Sequence, residues 1–277
     1  MKGRRPGRVY LAGAPLLIAH RGGSRLAPEN TMVAFRQAVD TWGADMLEMD
    51  VHATRDGKVV VLHDATLERT TDGRGAVADM TWAEVSRVDA GYHFTDLGGQ
   101  PSFRGVGVRV PLFEDVLTAF PRTRLNVESK AGAAARPLVD IIRRHGAERR
   151  VLVAAEQERD RLAIRSYPGP WGASAVQLRW FWLTYRLPVL RAITPRADAL
   201  QIPDVWKGRV VTTPELVRSA HARNLPVHVW TVDDPQRMGE LLDMGVDGIQ
   251  TDRPDLLATV LHEVVGRPLP AGATTPS

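Results

Sequence analysis

Short β-rich runs alternate with amphipathic stretches almost from one end of the chain to the other, the pattern of a parallel sheet with helical crossovers. Leu16–His20, Met46–Val51, Arg124–Glu128, Val151–Ala154, Ser174–Leu178, Ala199–Ile202, Val227–Trp230 and Gly248–Thr251 read as strands. That is the number a closed (β/α)8 barrel requires. Lys58–Leu62 reads as an additional short strand after the second. Local signals place helices between them. Phe35, Ala38, Val39 and Trp42 recur at helical spacing behind Asn30-Thr31, and Thr81-x-x-Glu84 has the form of a capping box. Thr213-Pro214 and Asp234-Pro235 each put a capping residue ahead of a proline at the first helical position. Met238, Leu241 and Leu242 then form an apolar stripe that Gly245 stops.

Residues 64–110 break the rhythm, being rich in Thr, Gly and Asp with one helix expected near 82–89. They read as a small subdomain inserted at the barrel mouth, where such folds build substrate loops. The expected organisation is an N-terminal extension over 1–15, a barrel over 16–266 and a disordered Pro/Gly/Ala/Thr-rich tail over 267–277. The basic start followed by Leu11 to Ala19 imitates a secretory signal, but cleavage there would remove the first strand. No segment reaches the roughly 18–20 apolar residues of a spanning helix, so a soluble, cytoplasmic protein is expected, without stable membrane insertion but with peripheral membrane contact left open.

Composition narrows the chemistry. The 277 residues contain no cysteine, which excludes disulfides and thiolate sites. The net charge of +4 shows no nucleic-acid-like run beyond the short basic start at Lys2, Arg4, Arg5 and Arg8, so no nucleic-acid partner is expected.

Glu48-Met49-Asp50 carries the first chemical signal. Strand alternation puts both carboxylates on one face, within a run whose other residues mark it as buried. Two buried carboxylates repel unless a cation or a shared proton relieves them, which points to a metal site. His20-Arg21 ends the first strand ahead of Gly22-Gly23, and His63-Asp64 repeats an imidazole where a strand leaves the core. One such histidine is unremarkable; two beside a carboxylate pair suggest an acid–base couple. Glu128 and Lys130 share a face at the end of the third strand, as a salt bridge or as a third oxygen ligand with a phosphate contact. His52, on the face of Glu48 and Asp50, takes no role in this reading, and His93, His145, His221, His228 and His262 read as structural or exposed.

The motifs Ile18-Ala19-His20-Arg21-Gly22, Pro28-Glu29-Asn30-Thr31, Glu48-x-Asp50-Val51 and Val60-Val61-Leu62-His63-Asp64 resemble the glycerophosphodiester phosphodiesterase family. Leu67-x-Arg69-Thr70-Thr71, Glu128-x-Lys130, Val229-Trp230-Thr231-Val232 and Gly245 to Asp252 continue the resemblance, which covers about residues 16–257. Val151–Glu156 departs from the family's usual Ser-Phe at the end of the fourth strand. The resemblance implies a TIM barrel that hydrolyses glycerophosphodiesters to sn-glycerol 3-phosphate and an alcohol. By the matched positions, Glu48, Asp50 and Glu128 would hold Mg²⁺ or Ca²⁺, and His20 and His63 would be the acid–base pair. Arg21 and Lys130 would contact phosphate, and Trp230 would wall the glycerol portion. A lipid-directed relative such as a lysophospholipase D is the alternative, motivated by Trp180-Phe181-Trp182-Leu183 between Arg179 and Arg186. The competing reading of that stretch is a crossover helix packed on the barrel.

Overall fold

The computed structural model describes residues 10–155, 158–187, 194–270 and 272. Its strands are β1 (Leu16–Ala19), β2 (Met46–Ala53), β3 (Val59–Val61), β4 (Arg124–Ser129), β5 (Val151–Ala155), β6 (Leu200–Pro203), β7 (Val205–Trp206), β8 (Arg209–Val210), β9 (Val227–Trp230) and β10 (Gly248–Thr251). The helices are α1 (Met32–Arg36), α2 (Trp82–Val85), α3 (Phe113–Ala119), α4 (Gly132–Arg144), α5 (Glu158–Ala163), α6 (Ala175–Thr184), α7 (Pro214–His221), α8 (Pro235–Asp243) and α9 (Pro254–Val265).

Parallel strands follow one another in the order β5-β4-β2-β1-β10-β9-β6. Trp171 and Gly172 close the ring, bridging in parallel to Val153 on β5 and to Ala199 ahead of β6. Gly172 N donates to Val153 O at 3.0 Å and Asp198 N to Trp171 O at 2.8 Å. The molecule is a TIM barrel whose fifth strand is this two-residue link. The expected strand at Ser174–Leu178 is a helix instead. Val176 and Leu178 alternate like a strand, but Ser174 Oγ accepts from Gln177 N at 3.4 Å and opens α6. Gly172 lets the link run close to β5, since a Cβ there would lie 3.1 Å from Ala154 Cβ.

Alternation divides each strand between two cores. Leu17, Ala19, Leu47, Met49 and Val51 pack outward among the helices, while Leu16, Ile18, Met46, Leu152 and Ala199 fill the barrel. Both faces are apolar, which is why the strands read as nearly continuous hydrophobic runs. Of the segment 1–15, residues 1–9 lie outside the described residues. Tyr10 and Leu11 join the barrel's inner cluster, and the Tyr10 hydroxyl donates to Leu125 O at 2.7 Å. At the other terminus Arg267 Nη1 pairs with Asp45 Oδ2 at 2.7 Å and Nη2 donates to Pro15 O at 2.9 Å. Residues 271 and 273–277 of the expected tail lie outside the described residues.

β3 pairs antiparallel with the end of β2, through Val51–Val61 and Ala53–Val59, and leads into residues 64–110. These have a small core of their own, in which Leu67, Val77, Val85, Ala90 and Val110 pack on Val60 and Leu62. α2 occupies only half of the expected 82–89 helix, although its capping box forms, with Thr81 N donating to Glu84 Oε2 at 2.7 Å. The inserted subdomain therefore grows from the carboxyl end of β2, beside the barrel mouth. Among the described residues no helix is long and apolar enough to cross a membrane.

Candidate active site

The inward positions of β2 change from apolar to acidic as the strand rises: Met46, then Glu48, then Asp50. Register sets Asp50 directly against Glu128 of β4. Glu48, Asp50 and Glu128 each offer a carboxylate oxygen, and these oxygens lie within 4.8 Å of one another. Glu48 and Asp50 are only 4% and 1% exposed. Burial, reinforced by the charge of Asp50, pushes the Glu48 carboxyl up to about 8. Burial also acts to raise Asp50, but Lys130 and Arg21 outweigh it and hold this carboxyl below its ordinary value. Lys130 Nζ lies 2.8 Å from Glu128 Oε2 and 3.2 Å from Asp50 Oδ1. Arg21 Nε is 3.2 Å from Asp50 Oδ2 but outside hydrogen-bond geometry, while Arg21 Nη1 donates to Glu29 Oε1 at 3.0 Å.

The turn after β1 brings the first histidine to these carboxylates. Arg21 takes a left-handed conformation (φ 51°), and its N–H donates to Glu48 Oε2 at 3.0 Å. Gly22 lets the turn sit on α1, since a Cβ there would fall 2.7 Å from Ala34 Cβ. His20 Nδ1 meets Asp252 Oδ1 at 2.6 Å, at the far end of the chain and just after β10. A carboxylate only accepts, so Nδ1 carries the proton and Nε2 is the free working nitrogen, 3.9 Å from Glu48 Oε2. Burial pulls the His20 pKa down, but the Asp252 hydrogen bond and the charges of Glu48 and Asp252 leave it raised.

The second histidine is held in the same way. His63 Nδ1 meets Asp64 Oδ1 at 2.6 Å, and His52 Nε2 donates to the His63 carbonyl at 3.0 Å. Arg69 anchors Asp64 through Nε at 2.6 Å and Nη2 at 3.1 Å, and reaches Glu29 through Nη1 and Nη2 at 2.8 Å each. Glu29 thus ties the guanidinium of Arg21 to that of Arg69. Asn30, at φ 58°, donates from Nδ2 to Asp50 Oδ2 at 3.1 Å.

A family model described as glycerophosphoryl diester phosphodiesterase matches residues 20–256, from the first histidine to just past Asp252. The chain belongs to that family. A Mycobacterium tuberculosis protein named "Probable glycerophosphodiester phosphodiesterase 2" is 39% identical, with 90% of this chain and 91% of that protein covered. The crystal structure of the glycerophosphodiester phosphodiesterase of Agrobacterium tumefaciens superposes with a TM-score of 0.73 at 28% identity, covering 88% of this chain and 99% of that one. An Oleispira antarctica phosphodiesterase, solved in complex with the product sn-glycerol-3-phosphate, shares the fold with a TM-score of 0.72 at 22% identity, covering 90% and 97%. This chain is accordingly a phosphoric diester hydrolase of glycerophosphodiesters.

Within that family frame the expected residues fall into one cluster and one outlying position. Glu48, Asp50, Glu128, Arg21 and Lys130 form a continuous charged group, with His20 3.9 Å from Glu48. His63 joins them through Asp64, Arg69 and Glu29. Trp230 ends β9 at the mouth, paired in register with Pro203 and 36% exposed. Sequence reading gave no role to Asp252, Asp64, Arg69, Glu29, Asn30 or His52. All but His52 lie inside the matching motifs, so motif membership was the available signal. The other histidines bond elsewhere: His145 to Glu114, His221 to Asp247 and His262 to the Arg267 carbonyl. His228 is fully buried inside the barrel, where burial lowers its pKa to about 4.

Proposed function

We propose that the enzyme releases sn-glycerol 3-phosphate and an alcohol from glycerophosphodiesters, using a divalent cation on Glu48, Asp50 and Glu128 and an acid–base pair of His20 and His63. The observation that carries this reading is the pairing of each histidine with its own aspartate beside one acidic triad. The donor set fits a hard cation such as Mg²⁺ or Ca²⁺. It consists only of carboxylate oxygens, and two nearby fixed cations, Arg21 and Lys130, leave three carboxylates under-compensated. When bound, such a cation supplies Lewis-acid polarisation of a phosphoryl oxygen.

The chain's own groups do the rest. Asp252 keeps a proton on His20 Nδ1 and favours the imidazolium, so His20 suits the general acid that protonates the leaving alcohol through Nε2. His63, turned by Asp64, takes the proton of the attacking hydroxyl, either water's, which gives sn-glycerol 3-phosphate directly, or the substrate's glycerol, which gives a cyclic phosphate that a water then opens with the two histidines exchanging roles. A P–O bond forms to that oxygen, the P–O bond to the alcohol breaks, and one proton moves on each side. Arg21 and Lys130, fixed beside Asp50, present positive charge to the phosphate as charge builds on its oxygens. Trp230 offers an exposed ring at the mouth to wall the glycerol moiety. That sn-glycerol 3-phosphate is the named product in the Oleispira antarctica structure supports this choice of cleaved bond.

His20→Ala and His63→Ala should each lower kcat on glycerophosphocholine by about 10²–10⁴ with circular dichroism unchanged. Losses below tenfold in both would sink the acid–base assignment.

A further inference from the structure

α6 packs on the barrel through one face and leaves an apolar stripe on the other. Phe181 and Tyr185 are buried and stacked, and Ser219 Oγ on α7 donates to the Tyr185 carbonyl at 2.9 Å. The helix is thus docked without help from its outer side. Yet Val176, Trp180 and Leu183, with Leu187 just past the helix end, repeat at i, i+4, i+7 and i+11 and are 50%, 61%, 55% and 47% exposed. A soluble crossover helix carries polar residues along that line.

Charge says what the stripe meets. Between Asp160 and Asp198 the sequence holds six arginines and no acidic residue. The whole chain's surplus is only +4, so this stretch carries more than all of it and the remainder is slightly acidic. Of these arginines Arg165, Arg179, Arg186 and Arg196 are exposed, while Arg161 is buried. Arg179 and Arg186 are exposed on one flank of the stripe, and among the described residues neither meets a carboxylate. Two copies of the stripe face to face would oppose arginines with no acid to relieve them. The hairpin of β7 and β8, whose base is tied to the Trp230 carbonyl by Asp204 N at 3.1 Å, repeats the combination. There Val205, Trp206 and Val210 are exposed around Lys207 and Arg209.

We infer that the outer face of α6 docks on an anionic phospholipid surface, with Trp180 and Leu183 in the headgroup layer and Arg179 and Arg186 against lipid phosphates. Indole rings favour that depth, and arginine stems lie along apolar surface while their heads reach anions. This is peripheral contact and does not depend on the acid–base assignment above.

The test is flotation of the full chain with vesicles of phosphatidylcholine alone or with 30 mol% phosphatidylglycerol, a composition set at roughly the anionic content that recruits basic segments. Expected is binding to the anionic vesicles that falls with added salt, and little binding to phosphatidylcholine alone. Trp180→Ser with Leu183→Ser should weaken it roughly tenfold or more, and Arg179→Gln with Arg186→Gln roughly thirtyfold. Both variants should keep full hydrolysis of glycerophosphocholine in solution, which certifies their folding. The inference is overturned if wild type ignores anionic vesicles or if either variant binds them like wild type. It is also overturned if wild type sediments as a dimer that the Trp180/Leu183 variant abolishes, since the stripe then covers a second copy.

Discussion

Asp252→Asn isolates what a carboxylate 232 residues away does for the first histidine. The substitution keeps the shape and leaves an amide oxygen to accept from His20 Nδ1, but removes the charge behind a 2.6 Å contact. A hydrogen bond to an ionised group is worth about 1.5–3 kcal/mol, which is roughly ten- to 150-fold in rate if the imidazolium forms only with its partner in place. The direction of the pH effect follows from what holds His20. Burial lowers its pKa, and the Asp252 hydrogen bond with the charges of Glu48 and Asp252 raises it above the ordinary value. Without the aspartate charge the balance tips down. The protonated acid is then lost at lower pH, and the alkaline limb of the kcat profile moves toward acid. The assay is steady-state release of glycerol 3-phosphate from glycerophosphocholine between pH 5.5 and 9.5, a range running from about one unit below to about three above the ordinary histidine value. A fall of less than threefold with an unmoved alkaline limb would refute the reasoning.

Chelated protein should lose thermal stability as pH rises from about 5 to about 8. Glu48 keeps in the fold, up to about 8, a proton that the unfolded chain releases near 4.5; Glu48→Gln should flatten the slope, and a rising slope would contradict the burial argument. Arg69→Ala should cut kcat about tenfold by freeing Asp64, and Arg69→Lys should recover little, because one ammonium cannot replace a fork that reaches both Asp64 and Glu29. Tyr10→Phe should lower the melting temperature by about 2–4 °C through loss of a buried hydrogen bond worth about 1 kcal/mol, with kcat unchanged.

Much of the barrel is legible in the chain because parallel strands buried on both faces leave long apolar runs. Met46 to Val51 is such a run, and its two acidic residues stand out against it. The fifth strand was not legible. Two residues between Pro170 and Ala173 leave no periodicity, while Val176 and Leu178 mimic alternation in a window too short to reveal the helical line through Leu187. Alternation alone puts Glu48 and Asp50 on one face, but that Glu128 comes beside them is set by the register of β2 on β4. Asp252 reaches His20 only because β10 lies beside β1, and Arg69 reaches Glu29 only because the inserted subdomain stands beside the mouth. The function of the N-terminal segment was also hidden, since nothing local marks Tyr10 as part of the barrel's interior.

The central claim is a carboxylate-held cation driving phosphodiester cleavage, and its most direct test is release of sn-glycerol 3-phosphate from glycerophosphocholine after EDTA treatment, with and without added Mg²⁺ or Ca²⁺. The account predicts that EDTA abolishes release, that one of these ions restores it in the wild type, and that Asp50→Asn is not restored at the same concentration. Undiminished hydrolysis in EDTA, or full restoration of Asp50→Asn, would contradict it.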